Sequence, residues 1–481
     1  MTTSLPVFKM LTPEGVKQID RTGRQILANI GIRIRDGTFL KRLEKAGIRV
    51  DHDKQRAYFN EERLDELLSS APSHFMLYSR DGKNDLRLGR GDVHFANGGR
   101  VFRVLDIAHD NYRYTTLKDV ALSALLVDQL EYIHFYVIAC QAHDVEPSYY
   151  HLNDFLCSFN HTTKHVMGGC DSLDGVKQVW KLACYLASGE DKLRKKPFFS
   201  IITNPISPLT IEGNTLNVLD FCVTHGIPVT CSPAPIAGAT SPATLAGTLA
   251  QMHAEALAGV AISQALAPGA CVIYGAVPTT MDLRNMDFTM GAVETGMMGA
   301  AAVQLARLYN LPVRAAAGVT ESKKADIQTG IEKSLSNLMV ATAGADCILL
   351  AAGILDSGNS ISYEQYVIDN EIAGMVYRTL SGISVNKNTL GYETIEQVGP
   401  GGNYVMEEHT VEHMVDEFFY PGLSVRCNFD VWQETGQPDM LSRANDVVHA
   451  VFNQYEAGRK GLLSPGVLRG IRANFRGIQD I

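Results

Sequence analysis

Eight short apolar runs, each bounded by turn-forming residues, punctuate the middle of the chain at 92–97, 132–139, 164–168, 198–203, 228–232, 271–275, 312–318 and 347–353. Their few polar positions do not alternate with the apolar ones, which is the pattern of strands covered on both faces, as in a parallel sheet. Between them, apolar positions recur with helical spacing over 117–130, 149–159, 175–187, 214–224, 242–267, 290–309 and 326–343. Strand and helix therefore alternate over residues 92–353. That length is close to the roughly 250 residues of a closed (β/α)8 barrel, so the α/β fold predicted is a TIM barrel. An open doubly wound sheet is the alternative. It is disfavoured because no strand runs into G-x-G-x-x-G or G-x-x-x-x-G-K-[ST], the turns that often cradle phosphate in such sheets. Residues 1–91 read as an N-terminal extension of helices with a small β element. Residues 354–481 read as a mainly helical C-terminal extension packed on the barrel, with its clearest turn at Gly399-Pro-Gly-Gly402.

Composition narrows the possible classes. Hydrophobic residues make up 46% and charged residues 20% of the 481, enough apolar material for a large core and too much for a disordered chain. A net charge of −9, with no basic run beyond Arg194-Lys195-Lys196, leaves no footprint for nucleic acid. The uncharged stretch 256–277 is long enough to cross a bilayer, but Pro268-Gly269 splits it into a helix-like and a strand-like half, so burial in the barrel is expected. Met1 to Lys9 show no basic region followed by an apolar run, so a cytoplasmic protein is expected. Nine cysteines are scattered without a C-x-x-C pair, which fits reduced thiols.

In a barrel of this kind ligands bind where strands end at their C-terminal side. The residues there are Asn97 to Gly99, Cys140, Gly168 to Asp171, Asn204 to Pro208, Ser232 to Pro235, Tyr274-Gly275, Gly318 to Ser322 and Gly353 to Asp356. They include no His or Lys and few carboxylates, so acid–base chemistry is underprovided and Schiff-base chemistry has no strand-end lysine. His161 with His165, and His409 with His413, have the i, i+4 spacing of paired metal ligands. The first pair runs into a predicted strand and the second has no H-E-x-x-H core, so no metal is assigned. Cys170 and Ser232 stand at strand ends without an evident His partner and read as core and loop residues rather than nucleophiles. Aromatic residues are better supplied. Phe95, Phe102, Tyr136, Phe199 and Tyr274 fall on or just after strands, where ring faces could hold a cation, although each could instead fill the core. Tyr274, with its polar tip beside Gly275, is the first choice for a cage wall.

The same strand ends carry a resemblance. Its residues are Asn97-Gly-Gly99 with Asp106, Ser207-Pro-Leu209, Ser232 to Pro242, Ala317 to Lys323 with Asp326, Gln328, Gly330 and Glu332, Glu364-Gln365 through Asp369-Asn-Glu371, and Val398 to Gly402 before His409. Together they resemble the trimethylamine methyltransferase family, corrinoid-dependent enzymes with a TIM-barrel fold, along most of the chain. The member that demethylates trimethylamine carries pyrrolysine in its site, whereas every position here is an ordinary residue. Members without it are similar to quaternary-amine demethylases, of which glycine betaine is the best known substrate.

The resemblance therefore implies transfer of a methyl group from a quaternary amine, foremost glycine betaine, to Co(I) of a corrinoid protein, with release of dimethylglycine. Carnitine, proline betaine or choline as donor stays open, and so does a non-catalytic binder of betaine-like osmolytes. No tightly bound cofactor is implied, the corrinoid (cobalamin) coming with a partner protein. No nucleic acid or membrane partner is expected, and association of the chain into a homo-oligomer is. A quaternary nitrogen activates its own methyl groups and departs with its lone pair, so no general acid is needed, which suits a site poor in His and Lys. The expected substrate contacts are Tyr274, Phe95, Phe102 and Tyr136 as ring faces, and Asn97, Asn204, Ser232, Arg314, Thr320, Gln328 and Glu332 as polar partners. Arg314 reads either as a donor to a betaine carboxylate or as a packing residue paired with Glu332.

Overall fold

Eight parallel strands form the centre of the computed structural model, which describes residues 8–106, 111–457 and 461–479. Met1 to Val7, on which the reading of the N-terminus mainly rests, lie outside the described residues. The strands are β1 (His94–Asn97), β2 (Tyr136–Val137), β3 (Val166–Gly169), β4 (Phe199–Thr203), β5 (Val229–Cys231), β6 (Val272–Ala276), β7 (Val313–Ala316) and β8 (Cys347–Ala352). Each pairs with its neighbour in sequence, and β8 pairs back onto β1. The remaining seam, between β1 and β2, is closed by an isolated parallel bridge from Ala96 to Phe135 and by the His134 N–H donating to the Phe95 carbonyl at 2.8 Å. The sheet is thus a barrel, as the alternation predicts, and the open-sheet alternative falls.

A helix follows every strand: α1 (Leu117–Gln129), α2 (Tyr150–His161), α3 (Leu173–Ala187), α4 (Gly213–Thr224), α5 (Leu245–Leu266), α6 (Val293–Arg307), α7 (Ile327–Thr342) and α8 (Tyr363–Leu380). The last of these lies beyond Gly353, in the segment read from sequence as an extension.

Side chains alternate across each strand, one face to the helices and one to the barrel interior. Ala96, Val137, Met167, Ile273, Cys347 and Leu349 fill the interior together with Leu77, Leu86 and Leu88 of the antiparallel hairpin Phe75–Leu77 and Leu86–Leu88. That hairpin is tied to the strand starts, since the Gly89 N–H donates to the Asp346 carboxylate at 2.7 Å and the Arg80 N–H to the Thr163 carbonyl at 2.9 Å. It plugs the N-terminal end of the barrel and leaves the C-terminal end for ligand.

Helix α5 is buried from Thr248 to Gln264 without an exposed face. Its inner side lies on β5 and β6, and its outer side is covered by the N-terminal helices Pro13–Gln25 and Glu61–Ser69. A helix apolar all round needs such a double cover. This accounts for the membrane-like stretch 256–277, which is the second half of α5, the turn at Pro268-Gly269 and β6. Among the described residues no helix is long and apolar enough to cross a membrane. The N-terminal region is further stitched to the barrel by a small sheet in which Ile32–Arg35 pairs in parallel with Thr210–Glu212, from the loop after β4.

Candidate active site

At the C-terminal end of the barrel lies a cavity of about 460 Å³. Much of its wall is aliphatic, from Val137, Ile138, Ile202, Val218, Val277 and Leu349, and among the described residues none of the lining side chains is aromatic. Charge enters it at only a few points.

One is Arg314, on β7. Strand alternation turns it into the barrel opposite Gly275 of β6 and Cys347 of β8. Its Nη1 donates to the Ser232 Oγ, its Nε has no hydrogen-bond partner, and among the described residues no carboxylate pairs with it. Burial pushes its pKa down to about 10, so it stays a cation at neutral pH. Gly275 makes room for this arrangement, because a Cβ there would lie 2.2 Å from the Ser232 Oγ.

A second group lines the cavity beside β1 and β3. The Arg100 guanidinium stacks 4.6 Å from the centre of the Tyr150 ring and lies 3.9 Å from the Asp171 carboxylate, which also accepts from the Tyr150 hydroxyl. Behind them, one turn along α2 from Tyr150, sits Asp154. It is 2% exposed, and its Oδ1 has no hydrogen-bond partner. Burial pushes this carboxyl up to about 7, against the charge of Arg100 and with that of Asp144.

Of the residues singled out from sequence, the structure brings Asn204, Ser232 and Arg314 together around this cavity. The aromatic cage is overturned. Ile273 points inward, so Tyr274 points outward, buried between β6 and α5. Its hydroxyl donates to Nδ1 of His253 at 2.8 Å, and Nε2 of that ring donates to Asp20 of helix Pro13–Gln25 at 3.0 Å. Phe95, Tyr136 and Phe199 share that outward parity. Phe95 meets Tyr377 of α8 edge-on at 5.7 Å, Tyr136 donates to the Val120 carbonyl of α1 at 3.2 Å, and Phe199 packs on Phe155 and Phe159 of α2. Phe102 is exposed and lines a separate hollow with Tyr114 and His143.

The remaining polar candidates prove to be clamps. Asn97 fastens the thin β1–β2 seam, its Nδ2 donating to the Val137 carbonyl at 2.7 Å and its Oδ1 accepting the Val137 N–H at 2.8 Å. Glu332 accepts from the Thr320 hydroxyl at 2.6 Å, from Nε2 of Gln328 at 2.9 Å and from the Glu321 N–H at 2.9 Å, which fixes the loop after β7. None of Thr320, Gln328 and Glu332 lines the cavity, and Arg314 does not pair with Glu332. Cys170 does line it, but burial raises its thiol far above the ordinary range, which removes it as a nucleophile. His165 has its two ring nitrogens engaged by the Tyr78 carbonyl and the Ser200 hydroxyl, each at 2.8 Å.

Sequence reading passed over Arg100 and Asp154, and placed Asp171 at a strand end without giving it a role. Asp154 leaves a trace in the sequence. It is the single acidic residue of α2, a helix buried from His151 to His161, and a lone charge in such a segment marks a functional candidate.

Comparison with known proteins shows the family and the fold. The family described as trimethylamine methyltransferase (MTTB) matches residues 1–465. The trimethylamine methyltransferase MttB of Desulfitobacterium hafniense (strain DSM 10664 / DCB-2) is 34% identical over 431 residues, covering 90% of this chain and 86% of its own. A glycine betaine methyltransferase of Desulfitobacterium hafniense (strain Y51) is 30% identical over 429 residues, 89% of each chain. Among solved structures, the Methanosarcina barkeri monomethylamine methyltransferase (MtmB) shares the fold with a TM-score of 0.51 at 11% identity, over 95% of this chain and 90% of its own.

Proposed function

The chain belongs to the trimethylamine methyltransferase family, and from that premise we propose that it moves a methyl group from a quaternary ammonium carboxylate, of the glycine betaine class, to Co(I) of a corrinoid carried by a partner protein. Arg314 carries the choice of donor. It is a buried cation with no carboxylate partner among the described residues, facing a cavity of small-molecule size. A betaine brings the missing anion, whereas trimethylamine and choline do not. The relative named glycine betaine methyltransferase supports the same reading.

In this account Arg314, steadied by Ser232, orients the substrate carboxylate, and the aliphatic wall keeps water from the reacting methyl group. A cavity of about 460 Å³ has room for a betaine but not for a corrin macrocycle, so the methyl acceptor is met at the mouth, on the C-terminal face of the barrel. The corrinoid supplies the nucleophile when its protein is docked there, and this chain supplies binding, orientation and a dry site. The tertiary amine leaves with its electron pair. No proton need be delivered, in keeping with a cavity whose thiol is inert and which has no histidine or lysine among its lining residues.

The test is a donor panel. Mixed with cob(I)alamin and, separately, glycine betaine, proline betaine, carnitine, choline and trimethylamine, the protein is expected to form methylcobalamin, read in the visible spectrum, only with donors that carry a carboxylate. Equal rates with choline or trimethylamine would remove Arg314 from the account. Betaine bound without any methylcobalamin formed would make the chain a binding protein.

A further inference from the structure

We infer that Asp154 holds the cationic end of the substrate, so that the cavity is built with two poles, Asp154 for the ammonium and Arg314 for the carboxylate. The inference rests on reading this cavity as a betaine site and adds a residue and a charge requirement to it.

The observations are independent of those on Arg314. Asp154 lines the cavity, its Oδ1 is buried without a partner, and the bond it receives from the Ser158 hydroxyl goes to its backbone carbonyl rather than to its carboxylate. The cation whose charge acts on it, Arg100, is occupied by the Tyr150 ring and by Asp171. A buried polar atom left unpaired is unfavourable, and on a side chain that lines a cavity it marks a functional candidate. A quaternary ammonium cannot donate a hydrogen bond. Its charge must be met by ring faces or by an anion, and the described residues lining this cavity offer no ring face. Asp154, a buried carboxyl raised to about 7 that a cation in the cavity draws toward its anionic form, is the group available, whereas Asp171 is already engaged by Tyr150 and Arg100. A zwitterion satisfies both poles and leaves the net charge of the cavity unchanged. Neither an amine alone nor a carboxylate alone does so.

The reaction fixes what Asp154 contributes. As the methyl carbon bonds to cobalt, its bond to nitrogen breaks and the electron pair stays on nitrogen, so the positive charge facing Asp154 disappears along the reaction coordinate. Attraction to that charge is therefore greater for bound substrate than for the transition state, and its loss falls on KM rather than on kcat. The product, neutral at nitrogen, loses its hold on Asp154 and is freed to leave.

Three probes separate the poles by calorimetry: glycine betaine, 3,3-dimethylbutanoate, in which carbon replaces the charged nitrogen, and tetramethylammonium, which lacks the carboxylate. The wild type is expected to bind betaine about tenfold or more tighter than 3,3-dimethylbutanoate. In Asp154→Asn the betaine affinity should fall by about the same factor while that for 3,3-dimethylbutanoate holds or improves, and Asp154→Glu should restore part of the loss. Betaine-dependent cobalamin methylation should show a raised KM with kcat no lower than that of the wild type. Wild-type betaine affinity in Asp154→Asn would overturn the inference while leaving the proposed function standing. If betaine is not bound but tetramethylammonium is, in a manner lost in Asp154→Asn, the carboxylate reading fails and Asp154 remains the cation pole. A wild type that binds none of the three overturns both.

Discussion

Asp154 carries a cost that can be measured without any substrate. Burial raises its carboxyl to about 7 in the folded protein, whereas the unfolded chain releases that proton near the ordinary value of 3.8. The folded state thus binds the proton more tightly. Stability is unaffected by this group below about pH 4, falls as pH climbs from there through about 7, and above that carries the full penalty, on the order of 4 kcal/mol. Asp154→Asn removes the charge, so it should melt higher than wild type at pH 8, with the gap closing toward pH 5. A gap independent of pH between 5 and 8 would show that the carboxyl is not held protonated. Tyr274 makes the opposite case. Since its hydroxyl serves His253 and not the cavity, Tyr274→Phe should cost about 1–2 kcal/mol of stability, through an unpaired His253 nitrogen, and leave the KM for betaine unchanged. A raised KM with unchanged melting would return Tyr274 to the site. Tyr274, Phe95, Tyr136 and Phe199 were legible as strand residues, but whether each faces the helices or the interior depends on strand parity. Continuous apolar runs, buried on both faces, do not reveal that parity. Arg314 and Ser232 were legible because a polar side chain inside such a run stands out.

At the level of elements, the residues that carry the family resemblance mostly hold loops. Ser207 donates to Glu255 of α5 at 2.6 Å, and the Leu209 N–H joins it at 2.8 Å, which pins the loop after β4. Glu371 of α8 accepts from the backbone N–H groups of Leu423 and Ser424. The tightest case is Asp369 of α8, which accepts at 2.9 Å from Nζ of the wholly buried Lys333 of α7, a group that also donates to the Gly318 carbonyl at 2.6 Å. Asp369 also accepts the Gly353 N–H at 2.8 Å, so one ion pair joins the loops after β7 and β8. Lys333→Met strands a buried carboxylate and should cost about 3–5 kcal/mol in denaturant unfolding, whereas Lys333→Met combined with Asp369→Leu should recover most of it. A single variant as stable as wild type would show the pair to be dispensable. Sequence alone does not separate such clamps from ligand contacts, because both set a polar residue at a strand end. Strand and helix limits, by contrast, were legible to within a few residues over most of the barrel, since period 3.6 and short apolar runs are written directly in the chain. Helix α8 escaped because it lies past the last strand, among the polar residues of a long segment.

For the whole molecule, the barrel has one end sealed by the Leu77, Leu86 and Leu88 hairpin and the other open onto a cavity whose lining includes Arg314 and Asp154. The alternation of elements made the barrel legible. The seal was not, because a two-stranded plug supplied from outside the repeating units has no periodic signature. Under the proposed function, that asymmetry leaves one face, among the described residues, for substrate entry and for meeting a methyl acceptor, and it makes the central claim a statement about where a betaine lies. The most direct measurement is a crystal structure of the protein with glycine betaine. The carboxylate should be bound by Arg314 and Ser232, the trimethylammonium group should lie against Asp154, and one methyl group should face the open end of the barrel. A betaine found instead in the Phe102, Tyr114 and His143 hollow, or lying in the cavity with its carboxylate turned away from Arg314, would contradict the account.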